Sequence, residues 1–249
     1  MSDALNIAYD AIDEEHESEG ALTRRKLVGV GAASFGSLGL LGLVGDDAWG
    51  AKAAKNDAQT ILNVAATAEV LATIVNTVGP EKLGSQLEPV TLMNVQAAAR
   101  EELIHYDVLV ATGAKPLTKK IWVPDAVFAS RTGLLTTLEA GDQIFINAYL
   151  IGTTAFAKAK QAKLARFTGE FMGAEAVHRA LARQSLGKLG NDRAFMKYSF
   201  TNIMVAVKQL QKAGFGFGKQ GATPGAFYSF NDVKKRTPNP AGVNTRKPR

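Results

Sequence analysis

Arg100-Glu101-Glu102-Leu103-Ile104-His105-Tyr106 and Gly173-Ala174-Glu175-Ala176-Val177-His178-Arg179 each place a glutamate three residues before a histidine. Both stretches lie in runs whose apolar residues recur at helical spacing, and on a helix an i, i+3 pair of side chains stands side by side. Glu102 with His105, and Glu175 with His178, can each bring a carboxylate oxygen and an imidazole nitrogen to one point in a helical core. A single Glu-x-x-His reads as a surface hydrogen-bonded pair. The chain has only three histidines, and two of them stand in this arrangement on separate helices. That repetition favours metal ligation.

Working outward, the apolar spacing predicts helices over 57–78, stopped by Gly79-Pro80, and over 88–112, closed by Gly113 and Pro116. Two more follow at 126–157 and 159–186, and a shorter fifth at 200–213. The stretch 114–125, punctuated by Pro116 and Pro124, reads as a connection, with Trp122 as its packing anchor. No strand pattern and no Gly-rich phosphate loop stands out. The expected fold is all-α: a four-helix bundle with a long crossover between helices two and three, flanked by flexible N- and C-terminal extensions.

The two helices without a histidine each carry a conspicuous carboxylate. From Ile61 to Val78 the only charge is Glu69, and from Thr132 to Ala157 the only charges are Glu139 and Asp142. A lone carboxylate in such a run is buried at a cost of several kcal/mol unless it is paired or coordinated. Glu69 and Glu102 are 33 residues apart around one turn, and Glu139 and Glu175 are 36 apart around another, so each pair falls at matching depth in a hairpin. Glu69, Glu102, His105, Glu139, Glu175 and His178 are the candidate ligand set. Four carboxylates and two neutral imidazoles carry a charge that two divalent cations cancel. Asp142, one turn beyond Glu139, reads equally as a partner of a ligand or as a solvated surface group. Glu101 and Glu170 read as outer-face salt-bridging residues, and Tyr106 and Tyr149 as core.

These segments, with Glu139 to Tyr149 and Met172 to Arg183 at their centre, resemble the ferritin-like superfamily. The likeness is to exported bacterial ferritin-like domain proteins related to plant desiccation-related proteins, and it covers about residues 57–186. It implies that Glu102 and Glu175 bridge two metals, that Glu69 and Glu139 are terminal ligands, and that His105 and His178 bind one metal each. The implied metal is iron, with manganese sharing the same hard oxygen and imidazole donors. The extensions are unlike cage-forming ferritins, so a hollow storage shell is not expected.

The termini differ from the helical region. Thr23-Arg24-Arg25-Lys26 precedes 19 uncharged residues, Leu27 to Gly45, which resembles a twin-arginine export signal. Six glycines in that run weaken the alternative of a membrane anchor. The organisation expected is a signal region at 1–50, a ferritin-like bundle at 51–190, and a short helix with a Gly/Pro-rich basic tail at 191–249, the mature chain residing in the periplasm, envelope or exterior. From Gly214 onward seven Lys/Arg face Asp232 alone, a composition of a solvated tail that can touch an anionic envelope polymer. No specific nucleic-acid partner is expected; self-association is a further expected contact.

Absence of cysteine excludes disulfides, zinc-thiolate and iron–sulfur centres, and a thiol nucleophile. Three activities suit the remaining donors. The first is oxidation of Fe(II) by dioxygen or peroxide, and the second is peroxide disproportionation at manganese. The third is a non-enzymatic protective module of the envelope with a structural metal.

Overall fold

The computed structural model describes residues 56–243. The signal region expected at 1–50 and the last residues of the basic tail, 244–249, lie outside the described residues. Within them the chain is mostly helical. Four long helices, α1 (Ala58–Leu83), α2 (Pro89–Ala111), α3 (Arg131–Lys158) and α4 (Ala162–Ser185), are followed by the shorter α5 (Ile203–Lys212) and α6 (Phe230–Val233). Short 3-10 turns occupy Gly84–Gln86 and Asp125–Phe128.

The helix starts are set by local chemistry. The Asp57 carboxylate accepts the Thr60 amide at 2.9 Å and the Ser130 hydroxyl accepts the Gly133 amide at 3.0 Å, each supplying a partner for a free N–H of a first turn. Pro89 opens α2, where its missing N–H costs nothing. Contrary to expectation, α1 does not stop at Gly79-Pro80 but runs to Leu83. Pro80 lies in its final turn, so one ladder bond is lost, and Gly79 lets Leu134 of α3 approach where a Cβ would stand 2.7 Å from Leu134 Cδ2. The glycine here serves a close helix approach as well as ending a pattern.

Cross-contacts fix the helix directions. The Gln59 amide at the start of α1 reaches the Gly113 carbonyl after α2 at 3.1 Å. Thr91 at the start of α2 meets Ser185 at the end of α4 at 2.8 Å. Thr153 and Thr168 meet at 3.0 Å across the short α3–α4 turn. Neighbours joined by short turns are antiparallel, and the end of α1, the start of α2, the start of α3 and the end of α4 gather at one end of the molecule.

α1 decides what the rest of the chain must do. It is long and apolar enough to cross a membrane by composition, yet it is buried on every side inside the protein. Its inner face meets α2 and α3. Its outer face is covered by residues beyond α4, because Val64, Ala65 and Ala68 lie against Ala206, Val207 and Leu210 of α5.

The segment after α5 corrects two expectations. A three-stranded antiparallel sheet forms in the order β2-β1-β3, from β1 (Lys120–Pro124), β2 (Gly216–Phe217) and β3 (Gly225–Ser229). The molecule is therefore not all-α. The crossover read as a plain connection supplies the central strand, with Trp122 opposite both Gly216 and Phe227. Gly216 has no room for a side chain, since a Cβ would stand 2.1 Å from the Lys219 carbonyl oxygen. A flexible extension is likewise not what residues 191–237 form. Phe200, Phe215, Phe217, Phe230 and Val233 are buried. The Tyr106 and Phe230 rings stand 4.5 Å apart, Lys82 donates to the Tyr228 hydroxyl at 2.9 Å, and Arg236 pairs with Glu81 at 2.7 Å. Phe195, Tyr198 and Phe227 of this stretch stay exposed, while Phe230 packs on Tyr106 of α2 and the buried Phe200, Phe215 and Phe217 join the core.

Phe230→Ala is expected to cost about 3–5 kcal/mol, the range for emptying a buried aromatic site. Urea unfolding followed by circular dichroism measures it, and a cost below about 0.5 kcal/mol, the level of a surface change, would restore the solvated-tail reading.

Candidate metal centre

Each long helix delivers an acidic side chain to one buried region. α1 contributes Glu69, α2 Glu102 and His105, α3 Asp142, and α4 Glu175 and His178. Glu69, Glu102 and Glu175 are 0% exposed, and Asp142, His105 and His178 are 4%, 7% and 9% exposed. The i, i+3 spacing works as expected on both helices, with His105 Nδ1 3.4 Å from Glu102 and His178 Nδ1 3.6 Å from Glu175.

The carboxylates of Glu102 and Glu175 are shared between the two imidazoles. His105 Nδ1 faces Glu102 Oε2 at 3.4 Å and Glu175 Oε1 at 3.7 Å. His178 Nδ1 faces the opposite oxygens, Glu102 Oε1 at 3.1 Å and Glu175 Oε2 at 3.6 Å. Glu69 Oε1 lies 3.7 Å from His105 Nδ1.

These atoms converge without satisfying one another. Glu69 Oε2, both oxygens of Glu102 and of Glu175, Asp142 Oδ2 and the Nδ1 atoms of both histidines lack a hydrogen-bond partner among the described residues. Leaving so many buried polar atoms unsatisfied would cost several kcal/mol, and donors aimed at a common ion are the arrangement that removes the cost. One donor atom each from Glu69, Glu102, His105 and Glu175 lie within 4.8 Å of one another. Ligand bonds of about 2.1 Å put opposite donors on one ion ~4.2 Å apart, so shifts of a few tenths of an ångström would close this group on a cation. The group can hold a metal ion.

Supporting contacts hold the donors in place. Tyr149 Oη donates to Glu69 Oε1, the same oxygen that faces His105 Nδ1, and so fixes the carboxylate beside the cluster. The Tyr149 ring stands edge-on to Phe171 at 5.5 Å, and Phe171 lies 4.3 Å from the His105 ring, so aromatic rings close that side. Glu101 Oε2 lies 2.6 Å from His178 Nε2. A proton held on Nε2 by Glu101 leaves Nδ1 to face the carboxylates.

The structure places Glu139 elsewhere. Its carboxylate pairs with Arg183 and with Lys188 Nζ at 2.6 Å and is not among the four donors that converge on one point. Asp142, three residues on, occupies the α3 position at the centre, and burial followed by the Glu175 charge pushes its carboxyl up. Asp142 is buried rather than solvated, while Glu101 is the partly exposed ion-pairing residue expected, its partner being His178. The signal for Asp142 lay in the hairpin: it is 33 residues from Glu175, the separation of Glu69 from Glu102.

No family model, curated protein or solved structure matches this chain. The ferritin-like resemblance therefore rests on the motifs, and the chemistry on the side chains themselves.

Without a cation, protons must neutralise the cluster. Burial works against a charged His105, yet Glu102 and Glu175 outweigh it and push its pKa up to about 9. His178 moves up for the same reason, with burial opposed first by the Glu102 charge. Glu69 is raised by burial and then by the charges of Glu102 and Glu175. Burial would raise Glu102 too, but the imidazoles beside it, His178 foremost, hold it below the usual carboxylate range.

A histidine raised in the fold contributes stability that is complete below its unfolded value of about 6.5 and lost as pH rises through about 9. The raised Glu69, Asp142 and His178 act in the same sense, whereas Glu102 loses its contribution only as pH falls through its lowered pKa. The chelated protein should therefore lose up to about 3 kcal/mol of stability through His105 between pH 6.5 and 9.5, with His178 adding in the same direction. Scanning calorimetry should show its Tm falling by several degrees over that range, about 2–4 °C per kcal/mol. Saturation with a divalent metal should flatten the fall; an equal slope with and without metal would contradict ligation by these groups.

Proposed function

We propose that this chain is a ferritin-like di-metal carboxylate protein, its four long helices forming the bundle and its centre holding two divalent ions. The observation that carries this reading is the sharing of Glu102 and Glu175, each turning one oxygen towards His105 and the other towards His178. The first ion would take Glu69, His105 and one oxygen of each shared carboxylate. The second would take His178, Asp142 and the other two oxygens. Asp142 fills the role that the resemblance assigns to Glu139. The charge balance is unchanged, with four carboxylates against two divalent cations.

Iron suits these hard donors, manganese shares them, and oxidation of Fe(II) by peroxide or dioxygen is the activity we assign. Iron held by these residues would supply the two electrons that, with two protons, convert one peroxide to two waters. The protein's own part is to hold the donors ready: Tyr149 orients Glu69, Glu101 orients His178, and apolar helices exclude bulk water. The twin-arginine motif at Arg24-Arg25 supports export of the folded, loaded chain to the envelope. The depth of burial also suits a structural metal in a non-enzymatic module, which would retain two ions without turnover.

Anaerobic Fe(II) titration with metal analysis tests the site. We expect about two ions per chain, a ferric absorbance on adding oxidant, and loss of both in a Glu102→Ala/Glu175→Ala variant. Asp142→Asn should lower the stoichiometry towards one ion, while Glu139→Gln should leave it at two. A well-folded protein that binds no metal would sink the reading, and a deficit in Glu139→Gln but not Asp142→Asn would reverse the ligand assignment. Ferric absorbance without repeated turnover would favour the structural alternative.

A further inference from the structure

The end where α1 and α4 finish and α2 and α3 begin contains two adjoining cavities. The outer one, about 620 Å³, opens to solvent beside Glu88, Arg131 and Gln184. The inner one, about 20 Å³, ends on Asp142 and His178 and is lined on the way by Asn76 and Asn94. Thr91, Asn94, Leu181 and Ser185 belong to both. Between the cavities the Thr91 and Ser185 hydroxyls are hydrogen-bonded to each other at 2.8 Å. The opposite side of the cluster is closed by Phe171 over His105 and by Tyr149.

The lining has a chemical character. At the mouth, Arg131 and Glu88 pair at 3.1 Å, so their charges cancel. From there to Asp142 the polar groups are hydroxyls and carboxamides, among apolar walls of Val95, Ala98, Leu135 and Leu138. An ion entering this file would leave water for neutral dipoles, at a cost of several kcal/mol. A small uncharged molecule that donates and accepts hydrogen bonds would exchange partners step by step. The inner volume admits about one water-sized guest, whose probe volume is ~10–15 Å³. A molecule of two heavy atoms passes only if the hydroxyl pair parts.

We propose that the oxidant reaches the centre through this file, that its chemistry favours hydrogen peroxide over any charged species, and that the Thr91–Ser185 pair is the gate. This rests on the di-metal reading for its destination but not for its path.

Two variants change the gate without touching a ligand. Ser185→Phe plugs it from a partly exposed position, and Thr91→Ala removes a methyl and the hydroxyl bond. In stopped-flow oxidation of the Fe(II)-loaded chain by peroxide, Ser185→Phe should slow the second-order step about tenfold or more, ~1.4 kcal/mol on the barrier, and Thr91→Ala should accelerate it. Metal stoichiometry should stay at the wild-type value in both. In the metal-free chain, dissolved dioxygen serves as an uncharged paramagnetic probe. It should broaden the side-chain amide signals of Asn76 and Asn94 in NMR spectra, and Ser185→Phe should abolish that broadening.

Unchanged rates and unchanged broadening would overturn the route. So would a plug that slows Fe(II) uptake but not peroxide oxidation, since the file would then carry the cation. If Ser185→Phe fails to fold, a Thr91→Ala variant no faster than wild type overturns the gate. A wild-type chain that binds no iron overturns the di-metal reading instead, and the broadening in the metal-free chain still decides the route.

Discussion

Four carboxylates buried in an apolar interior are the constraint on which the remaining structure depends. Glu69, Glu102, Glu175 and Asp142 are removed from water together with two imidazoles, and several of their polar atoms have no hydrogen-bond partner among the described residues. An ion pair or a hydrogen bond to a neighbour would relieve one or two such groups. It would not relieve six that point at a common space. Protons on the histidines and on Glu69 lower the charge of the metal-free cluster, but each proton occupies a donor atom that a cation would otherwise use. The metal-free protein and the metal-bound protein are therefore two ways of solving the same electrostatic problem.

The second determinant is α1, which carries Glu69 in a helix without another charge from Ile61 to Val78. A helix this apolar needs cover on every side, and α2 to α4 cover only part of it. The remainder explains why the chain continues past α4. α5 lies against α1 and α3, and the three-stranded sheet and α6 complete the cover with Phe217, Phe230 and Val233. Lys, Arg and Gly/Pro content made this region read as solvent-exposed. Its composition is that of a thin surface layer in which Phe217 and Phe230 turn inward and Lys234 rests over the Phe230 ring, while Lys120 of β1 rests over Phe227.

The helices and most of the centre were legible because their signals are local. Apolar spacing located five helices to within a few residues, and a lone carboxylate in an apolar run or an i, i+3 Glu–His pair needs no tertiary information. What was missed depended on distant partners. β1 pairs with strands about a hundred residues later, as the Trp122 indole bond to the Thr223 carbonyl shows, and no local pattern announces that pairing. Choosing between Glu139 and Asp142 required the position of the α3–α4 turn. Placing the turn near 157 matches Glu139 to Glu175, whereas the observed break lies between Lys158 and Ala162 and moves the matching residue towards Asp142.

The displaced Glu139 has an electrostatic task of its own. It joins Asp192 in a network with Arg179, Arg183 and Lys188, and Arg179 is held by two bonds to Asp192 at 2.8 and 2.9 Å. Arg179 follows His178 directly and is 3% exposed, so its field reaches the centre with little screening. There it opposes the burial that raises Asp142 and favours the ionised carboxylate. Glu139 and Asp192 keep these cations paired and outside the cluster, where they can bias Asp142 without competing for its oxygens. An inward Glu139 would take an anion from this network and add a fifth carboxylate to a cluster that already buries four. Of the two acidic residues of α3, Glu139 is thus the counter-ion of Arg183 and Lys188, while Asp142 stands buried beside the cluster under the influence of Arg179.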